Sequence, residues 1–369
     1  MRKTSPLRVL TKKSFVAYLA VLLLFWNEMI YPFIHSSLWD TLTEEDGLQA
    51  ARILIVADPQ LIGYRNEPAL IGPIARIDSD RYLSRGFFYA LRHGRPDVIL
   101  FLGDLFDEGV EGSDEEFELT LQRFDSIFAS YKSVQKVYLA GDNDIGGEGE
   151  YVIDSRRERF RKRFPNTLSM KDLGLRGVAV DEMNVFNGAL RNLTAASSDD
   201  KLSIMLSHAP IIRSSVAARQ AADRHSDLIL SAHDHTAWSY SRERAAAAGS
   251  SSSTFERTPI DRGTVVEATV GRTQRVLELQ SPTCSYRMGV PDMGYGLLTL
   301  RRIDDEADGS KLQLQARYTV LWLPGRYPQL FSYIVVAVWL LILVAHRVLY
   351  AGLRSIVLTR NKNVKQNIV

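Results

Sequence analysis

The chain has 369 residues, a formal net charge of +2 and one cysteine, and 46% of its residues are hydrophobic. Its length suffices for one large domain or two small ones with a sizeable core. The near-neutral charge excludes a general nucleic-acid or acidic-polymer signal, and the single thiol of Cys284 excludes a disulfide framework and a cysteine-based zinc site.

The N-terminal region has the pattern of a membrane anchor. Residues 1–13 contain five basic and no acidic side chains, and residues 14–34 are mostly apolar. A bilayer requires about 20 such residues, so we predict a cytoplasmic tail over 1–13, a transmembrane helix over 14–34 and a polar luminal stalk over 35–50. Glu28 is expected at the luminal interface, with a functional role inside the membrane as the alternative. A cleaved signal peptide is a further alternative, although Ile34-His35-Ser36 lacks the small-x-small cleavage pattern.

Five short apolar runs follow, and each ends at side chains that can bind a metal. They are residues 52–57 before Asp58 and Gln60, 97–102 before Asp104, 136–140 before Asp142 and Asn143, 202–206 before His208, and 228–230 before His233 and His235. Helical patterns lie between them at residues 80–93, 114–131, 156–164 and 217–224. This alternation predicts an α/β fold, in which ligands bind at the carboxyl ends of the strands. We therefore predict one sheet whose strand ends converge on a cluster of cations.

The chain changes character after these runs. Residues 244–254 are rich in Ala, Gly and Ser, which predicts a flexible surface loop. Residues 264–270, 297–301 and 312–320 predict further strands. We expect these later strands to form a second sheet that packs on the first.

A second apolar stretch lies near the C-terminus. Residues 328–349 are long enough to span a bilayer, and the tail over 350–369 is basic with no acidic residue. Basic flanks lie on the cytoplasmic side of a membrane, so both termini are expected in the cytoplasm and the domain over 51–322 in the lumen. The glycosylation sequon at Asn192 agrees with this topology and predicts a glycoprotein.

The five strand ends together supply the side chains of a two-metal hydrolase. Asp oxygens and His nitrogens are ligands for hard and for zinc-like divalent cations. Two cations about 3.5–4 Å apart polarise a phosphoryl oxygen and lower the pKa of a bridging water. Each Asp alone is explained as well by a turn after a strand, but the set in this order predicts a metal-dependent phosphoesterase.

These motifs resemble those of the calcineurin-like metallophosphoesterase superfamily. Gly103 to Asp107, His208 and the run from His233 to His235 carry the resemblance. Residues 103–109, residues 282–289 and the two terminal spans are similar to the metallophosphoesterase 1 group, also called post-GPI-attachment to proteins factor 5. The resemblance implies a four-layer α/β/β/α sandwich and two divalent cations, with manganese as the expected metal.

The resemblance also implies a role for each strand-end residue. Asp104 bridges the cations and is catalytic together with Asn143, while the remaining ligands divide into Asp58, Gln60 and His235 at one metal, and Asp142, His208 and His233 at the other. Four positions depart from the family pattern, namely Gln60 for His, Asp142 for Asn, Asn143 for His and Ala232 for Gly. A carboxylate at 142 should hold its cation more tightly. Because Asn cannot donate a proton at a useful pKa, the leaving-group acid stays open.

By the same resemblance, the protein is expected to be a membrane enzyme of the ER and Golgi. It would remove the ethanolamine-phosphate branch from the second mannose of GPI anchors and so aid the transport of GPI-anchored proteins, its expected substrates. Cargo receptors of ER export are candidate partners, and no nucleic-acid partner is expected. Two alternatives stay open: a luminal phosphoesterase that acts on another phosphodiester, and a non-catalytic adaptor for GPI-anchored cargo, which Asn143 favours.

Overall fold

The computed structural model describes residues 18–42, 50–128, 134–148, 151–165, 178–182, 202–243, 255–271, 275–304 and 312–366. The predicted tail over 1–13, the sequon at Asn192 and the predicted loop over 244–254 lie outside these residues. The chain forms two compact units, one of Met1–Tyr31 with Gly325–Val369 and the other of Pro32–Pro324.

The described residues form twelve strands and seven helices. The strands are β1 (Ala51–Val56), β2 (Val98–Leu102), β3 (Gln135–Leu139), β4 (Val178–Glu182), β5 (Leu202–Leu206), β6 (Leu228–Ser231), β7 (Trp238–Glu243), β8 (Glu256–Pro259), β9 (Val265–Gly271), β10 (Arg275–Gln280), β11 (Gly294–Asp304) and β12 (Leu312–Trp322). The helices are α1 (Tyr18–Ser37), α2 (Gly72–Gly94), α3 (Asp114–Phe128), α4 (Asp142–Ile145), α5 (Asp154–Arg163), α6 (Val216–His225) and α7 (Tyr327–Gln366).

The strands form two six-stranded sheets, and this corrects the predicted single sheet of metal-bearing strands. The first sheet has the order β3-β2-β1-β11-β12-β9, and the second has the order β4-β5-β6-β10-β7-β8. The first three predicted strands therefore lie in one sheet and the last two in the other. The later strands β9, β11 and β12 join the first sheet, where β11 runs antiparallel to β1, with Ala51 opposite Leu300. Hydrophobic periodicity locates a strand and its buried faces but does not identify its neighbours.

Four strands had no predicted counterpart, namely β4, β7, β8 and β10. Among them, β10 pairs with both β6 and β7 and so lies inside the second sheet. Its residues Glu278 and Gln280 are fully buried. The Glu278 carboxylate accepts the main-chain N–H groups of Ile211 at 2.9 Å and Ile212 at 2.7 Å. From the sequence, Glu278 would be assigned to an exposed position, because the N–H groups that donate to its buried carboxylate come from another segment.

The hydrophobic core lies between the two sheets. Leu100 and Leu102 of the first sheet belong to the same buried cluster as Ile204 and Leu206 of the second. Full burial of such a side chain stabilises the fold by roughly 1.5–3 kcal/mol. Because side chains alternate along a strand, Met205 between Ile204 and Leu206 faces the other way, into a cluster with α6.

Helices cover the outer faces of both sheets. On the first sheet, Phe101 of β2 contacts Phe124 and Phe128 of α3, each at 5.3 Å between ring centroids, and Phe87 of α2 contacts Phe128 at 4.9 Å. On the second, Ala218 of α6 packs in the same cluster as Met205. The expected α/β/β/α order of layers is therefore confirmed.

The start of α3 illustrates how the sequence positions these helices. Ser113 Oγ accepts the N–H of Glu116 at 3.2 Å, and the Glu116 carboxylate accepts the N–H of Ser113 at 2.8 Å. This reciprocal capping satisfies two main-chain donors that a helix start otherwise leaves unpaired. Phe117 and Phe124 then form the buried face.

The unit of Met1–Tyr31 and Gly325–Val369 contains most of the two helices that are long and apolar enough to cross a membrane, Tyr18–Ser37 and Tyr327–Ser355. Asn27 Nδ2 donates to Ser332 Oγ at 2.9 Å. Glu28 Oε1 accepts Arg326 Nη1 at 2.8 Å and the Tyr333 hydroxyl at 2.6 Å. Glu28 is therefore paired, with its side chain 14% exposed, and its position at the luminal interface stays a prediction. Helix α7 also continues well beyond the predicted end at residue 349.

Candidate metal centre

The predicted ligands lie at the carboxyl ends of parallel strands in both sheets. β1, β2 and β3 are parallel in the first sheet, and β5 and β6 are parallel in the second. The loops after β1 and β2 are joined by the N–H of Gln60, which donates to the carbonyl of Asp104 at 3.0 Å. The two sheets are linked at this edge by the N–H of His233, which donates to Asp58 Oδ2 at 3.2 Å. Residues far apart in the sequence thus meet at one edge of the sandwich.

The main chain is strained where the ligands project. Five of the six non-glycine residues with positive φ in the described part of the chain are predicted ligands: Asp58 at 45°, Gln60 at 39°, Asp104 at 51°, His233 at 72° and His235 at 63°. A left-handed conformation costs roughly 1–2 kcal/mol for such residues. Strain of this kind persists only where the surroundings enforce it, and it concentrates at functional sites.

Two glycines leave room for the ligands. A Cβ at Gly103, where φ is +95°, would lie 2.3 Å from His208 Nδ1. A Cβ at Gly141 would lie 2.1 Å from Asp104 Oδ1. The glycine before Asp104 and the glycine before Asp142 are therefore required by the close approach of the loops.

Four side chains form the tightest part of the site, and we call Asp104, Asp142, His208 and His233 the four-residue cluster. Their potential ligand atoms all lie within 4.8 Å of one another. Asp142 Oδ1 is 3.0 Å from His208 Nε2 and 3.2 Å from His233 Nδ1. Although burial raises the pKa of Asp142, hydrogen bonds from His208 and His233 outweigh this effect and hold that pKa well below its usual value.

The orientation of the His208 ring turns Nε2 towards the cluster. His208 Nδ1 lies 2.7 Å from the carbonyl oxygen of Leu102, and a carbonyl only accepts, so Nδ1 carries the proton. Nε2 then faces Asp142 Oδ1 at 3.0 Å and Asp104 Oδ1 at 3.4 Å. Burial lowers the pKa of His208, but the carboxylates of Asp104, Asp142 and Asp58 raise it to about 10. A proton or a cation must therefore lie between these atoms, and a divalent cation fits both donor types.

Asp58 provides a second indication of a cation. Its side chain is fully buried, and its Oδ1 has no hydrogen-bond partner among the residues that the structure describes. His208 Nδ1 is 3.9 Å from Asp58 Oδ1 and donates to the carbonyl of Leu102 instead. Burial raises the pKa of Asp58 to about 8. Because an unpaired buried carboxylate oxygen is costly, the donor set of Asp58 with its neighbours fits a bound cation.

Amide groups surround the other oxygen of Asp104. Gln60 Nε2 donates to Asp104 Oδ2 at 2.9 Å, and Asn143 Nδ2 donates to the same oxygen at 3.0 Å. Gln60 Nε2 also lies 3.2 Å from His235 Nε2. Burial and then His233 lower the pKa of His235, which keeps its ring neutral. In this arrangement Gln60 turns its amide nitrogen towards the site, whereas the predicted ligand role requires its carbonyl oxygen.

Asp144 supports the candidate site, a role that the sequence did not predict for it. Its buried carboxylate accepts the N–H groups of Gly141 at 2.9 Å, Leu105 at 3.1 Å and Phe106 at 3.1 Å. Burial, and then Asp104, raise the pKa of Asp144 to about 7. One carboxylate thus joins the loop that carries Asp104 to the loop that carries Asp142. The sequence did contain one indication of this role, because Asp144 is a second acidic residue in the run from Gly141 to Asp144.

A second supporting network holds the loop that contains His233 and His235. Asp234 lies between these residues and accepts from Arg213 Nη2 at 2.5 Å and from Gln280 Nε2 at 3.1 Å. The Gln280 side chain is fully buried in β10. Because β10 was not predicted, this network had no signal in the sequence.

Comparison with known proteins agrees with this geometry. A model of the family "Calcineurin-like phosphoesterase" matches residues 51–237, a range that includes every predicted ligand. Cell division control protein 1 of Saccharomyces cerevisiae is 33% identical over 141 residues, which are 37% of this chain and 28% of that protein. Metallophosphoesterase 1 of Danio rerio is 30% identical over 141 residues, or 38% and 35% of the two chains.

A longer match is found with the Metallophosphoesterase 1 homolog of Caenorhabditis elegans, at 26% identity over 225 residues. It covers 58% of this chain and 60% of that protein. The chain thus spans less than two thirds of the length of each of these relatives. A crystal structure of a hypothetical protein from Thermus thermophilus aligns at 12% identity with a TM-score of 0.28, over 74% of this chain and 100% of that one.

Proposed function

The chain belongs to the calcineurin-like phosphoesterase family, and on that basis we propose that it removes the ethanolamine-phosphate branch from the second mannose of GPI anchors. The chain is a metal-dependent phosphoesterase with a cluster of Asp and His side chains suited to metal. Its proposed substrates are GPI-anchored proteins. Its proposed location is the membranes of the ER and Golgi, with the domain in the lumen and both termini in the cytoplasm. Cargo receptors of ER export are its proposed partners.

One observation supports the substrate more than any other. The run from Pro282 to Gly289, which is similar to the metallophosphoesterase 1 group, contacts the strand that carries Asp58. Thr283 Oγ1 donates to the carbonyl of Asp58 at 2.7 Å, and the N–H of Cys284 donates to the carbonyl of Ala57 at 3.1 Å. The segment that resembles the metallophosphoesterase 1 group therefore lies beside the candidate metal centre. The two helices long enough to span a membrane suit a substrate that is itself anchored in a bilayer.

The residues of the site divide the chemical tasks among them. Divalent cations, which we propose to be two manganese ions, supply Lewis acidity and an activated water when bound. Asp58, Asp104, Asp142, His208, His233 and His235 would hold these cations. Asp104 is kept in place by the N–H of Asn143, which donates to its Oδ1 at 3.0 Å.

Asn143 cannot act as the general acid that protonates the leaving group. In related enzymes of the superfamily, an imidazole at this position would donate a proton, but an amide only donates a hydrogen bond. Asn143 can therefore stabilise charge on a phosphoryl or leaving-group oxygen without protonating it. The leaving sugar oxygen would then take its proton from water.

The proposal is tested by mass spectrometry of GPI glycans from cells that lack the protein. We expect ethanolamine-phosphate to remain on the second mannose in these cells and to be lost again when the wild-type chain is restored. Asp104→Ala should fail to restore the loss, whereas Asp114→Asn, a matched change at an exposed carboxylate on α3, should restore it. An unchanged ethanolamine-phosphate content in cells without the protein would refute the substrate.

Activity in vitro separates the remaining possibilities. We expect the purified full chain to hydrolyse bis-p-nitrophenyl phosphate with manganese, and Asp104→Ala to abolish this activity. Hydrolysis without any change in GPI glycans would assign another phosphodiester as the substrate. Binding of GPI-anchored cargo without turnover in any divalent metal would indicate an adaptor instead.

A further inference from the structure

We propose that the two halves of the metal centre are unequal: the four-residue cluster holds one divalent cation tightly, whereas the half formed by Asp58, Gln60 and His235 binds its cation weakly and exchanges it. This inference concerns the affinities of the two halves and does not depend on which phosphodiester is the substrate.

The four-residue cluster carries more negative charge than the family pattern provides. Asp142 stands where the superfamily has a neutral Asn, so this half contains two carboxylates and two imidazoles. A single oxygen, Asp142 Oδ1, lies 3.0 Å from His208 Nε2 and 3.2 Å from His233 Nδ1. Asp142 is 8% exposed, so little solvent screens its charge. The attraction for a divalent cation is therefore concentrated at one position, with the donor atoms already in place.

The other half has lost a ligand and gained hydrogen bonds. Gln60 stands where the superfamily has His, and imidazole is a better ligand than a neutral amide for manganese-like and zinc-like cations. Gln60 Nε2 donates a hydrogen bond to Asp104 Oδ2 at 2.9 Å and lies 3.2 Å from His235 Nε2. A cation in this half must displace both contacts before Asp104 and His235 can bind it. Asp58 Oδ1 is the ligand atom here without a hydrogen-bond partner in the described part of the chain.

The two carboxylate oxygens of Asp104 therefore have different neighbours. Oδ1 faces the four-residue cluster, at 3.4 Å from His208 Nε2. Oδ2 accepts the amide groups of both Gln60 and Asn143. The side-chain amides of the two residues that replace histidines of the family thus donate to the same oxygen, the one beside Gln60 of the weaker half, while the main-chain N–H of Asn143 donates to Oδ1 at 3.0 Å. The activity of the protein should consequently follow the free concentration of its metal, because the second cation is exchangeable.

Metal content of the purified full chain in detergent tests the inference. The chain is stripped with a chelator, loaded with manganese, dialysed against metal-free buffer and analysed for manganese per chain. We expect one manganese to remain per wild-type chain, and calorimetric titration of the stripped protein to show two phases that differ ~10-fold or more in affinity, as the charge difference requires.

Variants in each half assign the phases. Gln60→His should raise the retained metal from one to two per chain, and Gln60→Glu is a second variant that restores an ionic ligand at the same position. Asp142→Asn should weaken the tight phase ~10-fold or more, whereas the control Asp114→Asn should leave both phases unchanged. Circular dichroism verifies that each variant is folded.

Three results would overturn the inference: two manganese ions retained by the wild-type chain, one phase with equal affinities, or a retained content that neither Gln60 variant changes. None of these measurements uses a phosphodiester. A failure of the proposed substrate therefore leaves the metal result intact, and a failure of the metal result leaves the substrate to be decided by the glycan analysis.

Discussion

Gly103→Ala should disturb the metal centre through a single added methyl group. The new Cβ would lie 2.3 Å from His208 Nδ1, 2.8 Å from His208 Cγ and 3.0 Å from the Cα of Gly141. His208 has no room to yield, since it is 1% exposed and its Nδ1–H is bonded to Leu102 at 2.7 Å. The histidine must therefore turn away from the cluster or the loops must separate.

The expected cost has three parts. Placing Ala at a φ of +95° costs roughly 1–2 kcal/mol. Overpacking costs about 1–3 kcal/mol, and loss of the hydrogen bond from His208 to Leu102 costs about 0.5–1.5 kcal/mol. Together these costs amount to about 2.5–6.5 kcal/mol. Manganese affinity should fall roughly 10–100-fold because the orienting contact of a ligand is lost.

Gly263→Ala is the matched control. Gly263 also has a positive φ, +78°, but a Cβ there would meet no atom within 4 Å. This variant should show only the conformational cost of about 1–2 kcal/mol and an unchanged manganese affinity. Thermal unfolding and manganese titration of both variants measure the difference. Equal melting temperatures and equal manganese affinities for the two variants would refute the steric account of Gly103.

Three further predictions concern other parts of the molecule. Phe101→Ala should destabilise the domain by about 3–5 kcal/mol in thermal unfolding while the manganese affinity of the folded protein stays unchanged; a large loss of affinity would contradict the separation of core and site. Asp144→Asn should leave the buried N–H of Phe106 unpaired, which should cost about 1–3 kcal/mol of stability and weaken manganese binding. Equal manganese binding by wild type and variant would show that this carboxylate does not position the loops. Glu28→Ala should cost about 3–5 kcal/mol because the buried guanidinium of Arg326 loses its carboxylate partner. The double variant that also replaces Arg326 with Ala should cost less than the sum of the single changes, so additive costs in that cycle would rule out a direct pairing.

The sequence predicted the elements that carry the site because their signals are local. The runs before Asp58, Asp104 and His208 are apolar over five or six residues, and observed β1, β2 and β5 begin and end within one residue of the predicted bounds. Helices α3 and α6 were predicted as helical patterns over residues 114–131 and 217–224, and they are observed at Asp114–Phe128 and Val216–His225. These patterns depend on neighbours in the chain, so one sequence suffices to read them.

The pairing of strands could not be read in the same way. β1 is central in the first sheet because β11, from the other end of the domain, pairs with it antiparallel. β10 was missed because Glu278 and Gln280 interrupt its apolar pattern, although both are fully buried. Their partners Ile211, Ile212 and Asp234 lie in separate segments, so nothing local to β10 indicates that its polar groups are satisfied.

The chemical groups of the candidate metal centre and the order of the strands that carry them could be predicted from the sequence, because residue type and hydrophobic period are properties of short segments. Three features of the site required the folded chain: two sheets share the site, His208 turns Nε2 inward, and Gln60 and Asn143 both donate to Asp104 Oδ2. These outcomes depend on hydrogen bonds between groups that folding brings within about 3 Å of one another, a distance at which the identity of the donor and acceptor decides the geometry. The same departures from the family pattern that left the mechanism open in the sequence thus become, in the folded chain, a specific asymmetry between two halves of one site.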